Sequence, residues 1–207
     1  MSAHPDGVVI EPEGPETLAA NINVGARLWA SAVAFFFMAF VFAFFYLRAL
    51  NTAHSFREPH VTPPIGWGVA ILVCVLGSSA IFALGRTRLG DGTDSQWRLA
   101  ALGSLILALA VVALQIIEYY SLSFGATDGG LASVFLGFTL TFLLFWLGAV
   151  YWIETIWAQS LHGERAGESD IANTSGLLRP SADGCVIYVF TLCIVEIFAF
   201  VLLYLIK

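Results

Sequence analysis

The chain has 207 residues, of which 58% are hydrophobic and 12% charged, and its mean hydropathy is +0.83. Soluble domains carry about 25% charged residues, so a water-soluble globule is excluded. The formal charge of -6 comes largely from the N-terminal residues and the connector before the last apolar run, which argues against nucleic-acid binding.

Long uncharged stretches alternate with Arg-bearing connectors, the pattern that bilayer insertion imposes. The expected fold class is therefore all-α, a polytopic bundle of about five transmembrane helices. The first 25 residues contain acids and no Lys or Arg, the reverse of the basic segment that opens a signal peptide. Their Pro, Gly and Glu predict an extended acidic arm over residues 1–25 that orders against a partner, with the bundle in residues 26–207.

A helix needs about 20 apolar residues to cross a ~30 Å hydrocarbon core. Such runs lie near 27–49, 65–85, 98–121, 131–157 and 183–206. The first is dense in aromatics from Phe35 to Tyr46, which supply packing volume and no acid, base or ligand. Pro63-Pro64 blocks helix before the second. Within that second run, Gly77-Ser78-Ser79-Ala80 is a small-residue patch where another backbone can approach closely. Gly90-Asp91-Gly92 breaks the chain after it, and Asp128-Gly129-Gly130 turns it between the third and fourth runs. The fourth is long enough to tilt or to extend past the bilayer, with Trp146, Trp152 and Trp157 expected toward the inner interface. Pro180 precedes the fifth, with Ser181 or Asp183 free to cap it.

Arg and Lys near helix ends set the orientation. Arg27, Arg86, Arg88, Arg98, Arg165 and Arg179 fall on one side, and Arg48, Arg57 and Lys207 on the other. The richer side is expected to be cytoplasmic, which places the N-terminus inside and the C-terminus outside.

A charge at the bilayer centre costs about 2.5–3.5 kcal/mol on insertion scales, so three acids stand out. Glu118 follows Gln115 by one turn, and i, i+3 spacing puts both on one face of the third span. A buried hydrogen-bonded pair, or a contact with a partner, is expected there. Glu154, near the cytoplasmic end of the fourth span, is expected to snorkel to lipid headgroups, and Arg48 and Arg98 are further headgroup candidates. Glu196 lies near the middle of the fifth span among Ile194, Val195, Ile197 and Phe198. Two readings stay open for it: a neutral carboxyl hydrogen-bonded to another helix, or a station in a proton relay.

His4, His54, His60 and His162 lie in the arm or the connectors, so no haem or metal site is expected within the spans. Cys74, Cys185 and Cys193 sit in apolar runs without metal-ligand spacing and read as small buried hydrophobes. No phosphate loop, HExxH or GxSxG motif occurs, so no catalytic residue is expected. Asn173-Thr174-Ser175 matches a glycosylation acceptor, but on the expected inner side the match is accidental.

Leu28-Trp29-Ala30-Ser31, with the Phe-rich run to Tyr46-Leu47-Arg48, is followed by Pro63-Pro64, Leu76-Gly77-Ser78-Ser79-Ala80 and an exit at Arg86. Trp97-Arg98 then leads to Leu114-Gln115-Ile116-Ile117-Glu118-Tyr119. This succession resembles subunit III of the haem-copper oxidases, the cytochrome c and quinol oxidase family, over all five spans and most specifically at the end of the third. The resemblance implies a non-catalytic subunit with no cofactor of its own, packed against catalytic subunit I and subunit II, which carry haem and copper. It also implies phospholipid held between helices, a place in aerobic electron transport and a bacterial-type plasma membrane.

The sequence departs from the family where Ala32 replaces a first-helix carboxylate, where Thr139 and Phe142 replace histidines after Gly137-Phe138, and at Phe190, another usual histidine position. Glu196 stands where an aromatic is usual. These departures remove the basis for proton uptake through the first helix and leave the architectural role. An accessory subunit of a nitric-oxide reductase and an independent small proton-coupled transporter are the alternatives.

Overall fold

Each element begins or ends where backbone chemistry requires it. The computed structural model describes residues 14–50, 56–89, 94–165 and 177–206. Among these described residues five helices are long and apolar enough to cross a membrane, so the chain is an all-α, multi-pass membrane bundle.

Helix α1 spans Pro15–Ala49, with the proline in the first turn, where its missing N–H costs nothing, and Glu16 beside the positive end of the helix dipole. Its start corrects the extended arm expected over residues 1–25, because residues 15–25 continue the first span as regular helix; residues 1–13 lie outside the described residues. Helix α2 spans Ile65–Arg88 and starts directly behind Pro64, which occupies the cap position. Helix α3 spans Asp94–Ser121 and α4 spans Gly130–Arg165. Between them Gly129 adopts φ 110°, a left-handed conformation that disfavours any side chain. Leu131 N–H donates to Phe56 O at 2.7 Å, which pins the α1–α2 connector to the start of α4.

Helix α5 spans Leu178–Phe200 and continues through a π-helical turn at Val201–Leu205. It starts earlier than the sequence suggested, with Leu177 at the cap and Pro180 inside the first turn, where N–H groups lack helical partners in any case. Ser181 and Asp183 are therefore free for tertiary contacts. The Ser181 hydroxyl accepts from Trp152 Nε1 at 3.1 Å, and Asp183 accepts from Arg86 Nε of α2. The Gly90-Asp91-Gly92 break, the Asn173-Thr174-Ser175 match, His4, His54 and Lys207 lie outside the described residues.

Helices α2, α3, α4 and α5 form a ring, and α1 packs on the outer side of the α4–α5 pair. The closest packing is between α2 and α3, and the small residues explain it. A Cβ on Gly85 would lie 2.5 Å from the Ala100 Cβ, and one on Gly77 would lie 3.1 Å from Leu107 Cδ1. At that range Ser78 and Ser104 exchange hydrogen bonds, each hydroxyl donating to the other's carbonyl at 2.9 and 3.0 Å. The small patch thus does what its composition suggested.

Aromatics fill the seams. Phe37 of α1 packs against Phe138, Phe142 and Phe145 of α4, with ring centroids at 5.1, 6.4 and 5.5 Å. Phe35, Phe42 and Trp29 face outward. Trp146 is fully buried and donates to Ala108 O of α3 at 3.0 Å, so it belongs to the core and not to the inner interface. One buried indole donor needs one buried acceptor, and a helix carbonyl supplies it.

Candidate functional site

Glu118 is 0% exposed, near the end of the bundle where α1, α3 and α5 finish and α2 and α4 begin. Helical spacing brings Gln115 over it, and Gln115 Nε2 donates to Glu118 Oε2 at 2.6 Å. The second oxygen, Oε1, accepts from the Tyr204 hydroxyl at 2.6 Å. Both carboxyl oxygens thus have a donor from within the bundle, one from the same helix and one from the π turn after α5.

Tyr204 is held by its surroundings. Its ring stacks on Phe200 with centroids at 5.4 Å and meets Phe135 edge-on at 5.6 Å. On the α2 side it lies against Gly68, where a Cβ would come within 2.7 Å of Tyr204 Cε1 and Cζ. The π turn closes from Ile206 N–H to Val201 O at 3.0 Å, an i to i−5 bond that offsets Tyr204 from the regular α5 register.

Glu196, on α5, is 6% exposed, and no hydrogen bond to its carboxyl is formed among the described residues. The Tyr119 hydroxyl is buried beside Thr139 of α4. Thr139 is also buried and returns its hydroxyl to Phe135 O of its own helix at 2.8 Å.

The remaining candidates separate. Arg48 and Glu154 are exposed, as headgroup contact requires. Arg98 is half-buried and donates from Nη2 to Ser160 O at 3.3 Å, so it ties α3 to α4. Ala32 is exposed and Phe190 faces outward, whereas Phe142 is buried and stacked on Trp146 at 5.8 Å. His60 lies in the α1–α2 connector, 3.5 Å from Glu58 and 3.7 Å from Asp128.

A groove of about 450 Å³ runs between α1 and α5, from Arg27 near the opposite end of the bundle to Val41 and Phe198, with Phe138 of α4 also lining it. Ala30, Ala34, Met38 and Phe198 make it apolar, and Arg27 stands at its mouth. A second cleft of about 440 Å³ adjoins it at Arg27 and includes Asn23, Arg86 and Asp183. Among the described residues no group of three or more His, Cys, Asp and Glu is placed to hold a metal ion.

Sequence reasoning found Gln115, Glu118 and Glu196 but not Tyr204, Gly68 or the Arg86–Asp183 pair. A tyrosine near the end of a span ordinarily reads as an interface anchor, and Gly68 carries no periodic signal. Comparison of the sequence with known protein families and with curated proteins gives no match.

Proposed function

We propose that this chain is a non-catalytic, subunit III-like component of a haem-copper respiratory oxidase, stabilising catalytic subunit I and holding lipid against it. The observation that supports this reading best is the buried Gln115–Glu118 pair, bonded at 2.6 Å and completed by Tyr204. It stands at the end of α3, where the sequence resemblance is most specific. A structural role for that pair fits a subunit whose work is packing, because a carboxylate bonded on both oxygens is already committed.

Lipid binding is supported by the groove between α1 and α5. Its apolar walls suit an acyl chain, and Arg27 at the mouth suits a phosphate. The outward aromatics Trp29, Phe35 and Phe42 give α1 a wide apolar face for lipid or for the larger subunit. The Arg-rich end, with Arg27, Arg86, Arg88 and Arg98, is assigned to the cytoplasm.

Purification of the tagged chain from its native membrane in mild detergent tests the proposal. Haem absorption bands and a large multi-span partner are the expected result, and oxygen or nitric-oxide turnover by that partner separates an oxidase from a reductase. A colourless, folded chain recovered alone would overturn the subunit reading.

A further inference from the structure

We propose that the groove between α1 and α5 and the polar cleft beside it form one site for a glycerophospholipid of net negative charge, with an acyl chain in the groove and the phosphate on Arg27. This deepens the lipid-holding part of the proposed function and rests on it, but it does not depend on which complex the chain joins. The two spaces, of about 450 and 440 Å³, share Arg27 and Ile187 as walls, so one occupant can extend from the first into the second.

The groove specifies an apolar body. Its two hydroxyls are already committed to their own helices: Ser31 donates to Arg27 O and Thr191 to Ile187 O, both at 2.9 Å. The interior therefore holds no donor that lacks an acceptor. From Arg27 to Val41 the groove follows α1 for about 21 Å at 1.5 Å per residue, more than half of a ~30 Å hydrocarbon core. A helix about 10 Å across and of that length fills about 1,600 Å³, over three times the groove. A partner helix can lie across such a groove but cannot occupy it, whereas a single extended acyl chain can.

The cleft specifies the charge. Thr87 donates to Leu84 O at 2.7 Å and Asn23 Nδ2 to Ala19 O at 3.2 Å, so these groups also serve their own helices. Arg86 donates from Nε to Asp183, and the pair is neutral. Arg27 is exposed, and its guanidinium forms no hydrogen bond or ion pair among the described residues. Two arginines and one aspartate leave one positive charge where groove and cleft meet. One phosphodiester matches it, because its charge pairs with Arg27 while the terminal N–H groups of Arg86 remain to donate to a second oxygen. A zwitterionic headgroup would bring an ammonium with no acid to receive it, since Asp183 is the cleft's one acid and is already bonded to Arg86.

The purified full chain in detergent is titrated with phosphatidylglycerol or phosphatidylcholine, and native mass spectrometry reads the affinity for the first lipid bound. Phosphatidylglycerol is expected to bind the more tightly. Arg27→Gln should weaken it by about fivefold, which is about 1 kcal/mol for one arginine beside anionic lipid, and leave phosphatidylcholine unchanged. Ala34→Phe, which fills the groove and keeps every charge, should weaken both lipids. Arg48→Gln, at the other end of α1, should alter neither.

The proposal is overturned if the two lipids bind alike, if Ala34→Phe binds like the wild type, or if Arg48→Gln is as damaging as Arg27→Gln. Should Ala34→Phe fail to fold, the comparison of the two exposed arginines decides. A chain that binds neither lipid overturns the lipid-holding reading and the site together, whereas equal binding overturns the site alone. Loss of the oxidase reading in the purification above would leave these affinities as they are.

Discussion

Gly68 lets Tyr204 reach Glu118 by having nothing in the way. A methyl group at that position would lie 2.7 Å from two ring atoms of Tyr204, and the ring cannot yield freely because Phe200 and Phe135 hold its other faces. Gly68→Ala is therefore expected to push the hydroxyl off Glu118, and Tyr204→Phe to delete the same bond without a clash. Each should lower stability in detergent unfolding by about 1–3 kcal/mol, the range for leaving a buried acceptor without its donor. If both act through one bond, the double variant will cost less than the sum of the two. Strict additivity would show that Gly68 matters for some other reason. Glu118 and Gln115 were legible at this scale, since an acid and an amide at i, i+3 in an apolar run mark themselves. Tyr204 was not, because its partner lies 86 positions away.

Between elements, the contact between α2 and α3 rests on small residues and two hydroxyls. Ser78 and Ser104 each donate to the other's backbone carbonyl, and their hydroxyl oxygens are 3.0 Å apart. Because the two bonds share one geometry, Ser78→Ala and Ser104→Ala should be coupled by about 0.6 kcal/mol in a double-mutant cycle, the usual size for interhelical bonds in membranes. A coupling indistinguishable from zero would mean that close backbone approach alone holds the pair. Gly85→Leu is expected to do more damage, because the Ala100 Cβ already occupies the space a side chain would need. Overpacking of this kind costs about 1–3 kcal/mol and is read in the same unfolding assay. The sequence marked the small patch in α2 but could not name the helix that meets it, since every neighbouring span is equally apolar.

At the scale of the whole molecule, orientation is the open quantity with the simplest test. A single cysteine placed at Ser123, in the exposed α3–α4 connector, should react with an impermeant maleimide added outside intact cells. One at Thr87, beside Arg86 and Arg88, should react only after the membrane is opened. The opposite pattern would invert the assignment and set the Arg-rich end outside. The sequence by itself determined that the chain is helical, that it has five spans and roughly where they break. Those features follow from local chemistry: apolar length against bilayer thickness, proline and glycine against the helix, arginine against the lipid core. It also singled out Gln115, Glu118 and Glu196, since ionisable and amide groups stand out in an apolar run. Only the tertiary structure decided that Tyr204 completes Glu118, and that Trp146 and Arg98 tie helices together. The physical reason is that lipid selects for apolar surface without regard to which helix lies beside which. The choice of neighbours rests on a few steric and hydrogen-bonding contacts between residues far apart in the chain.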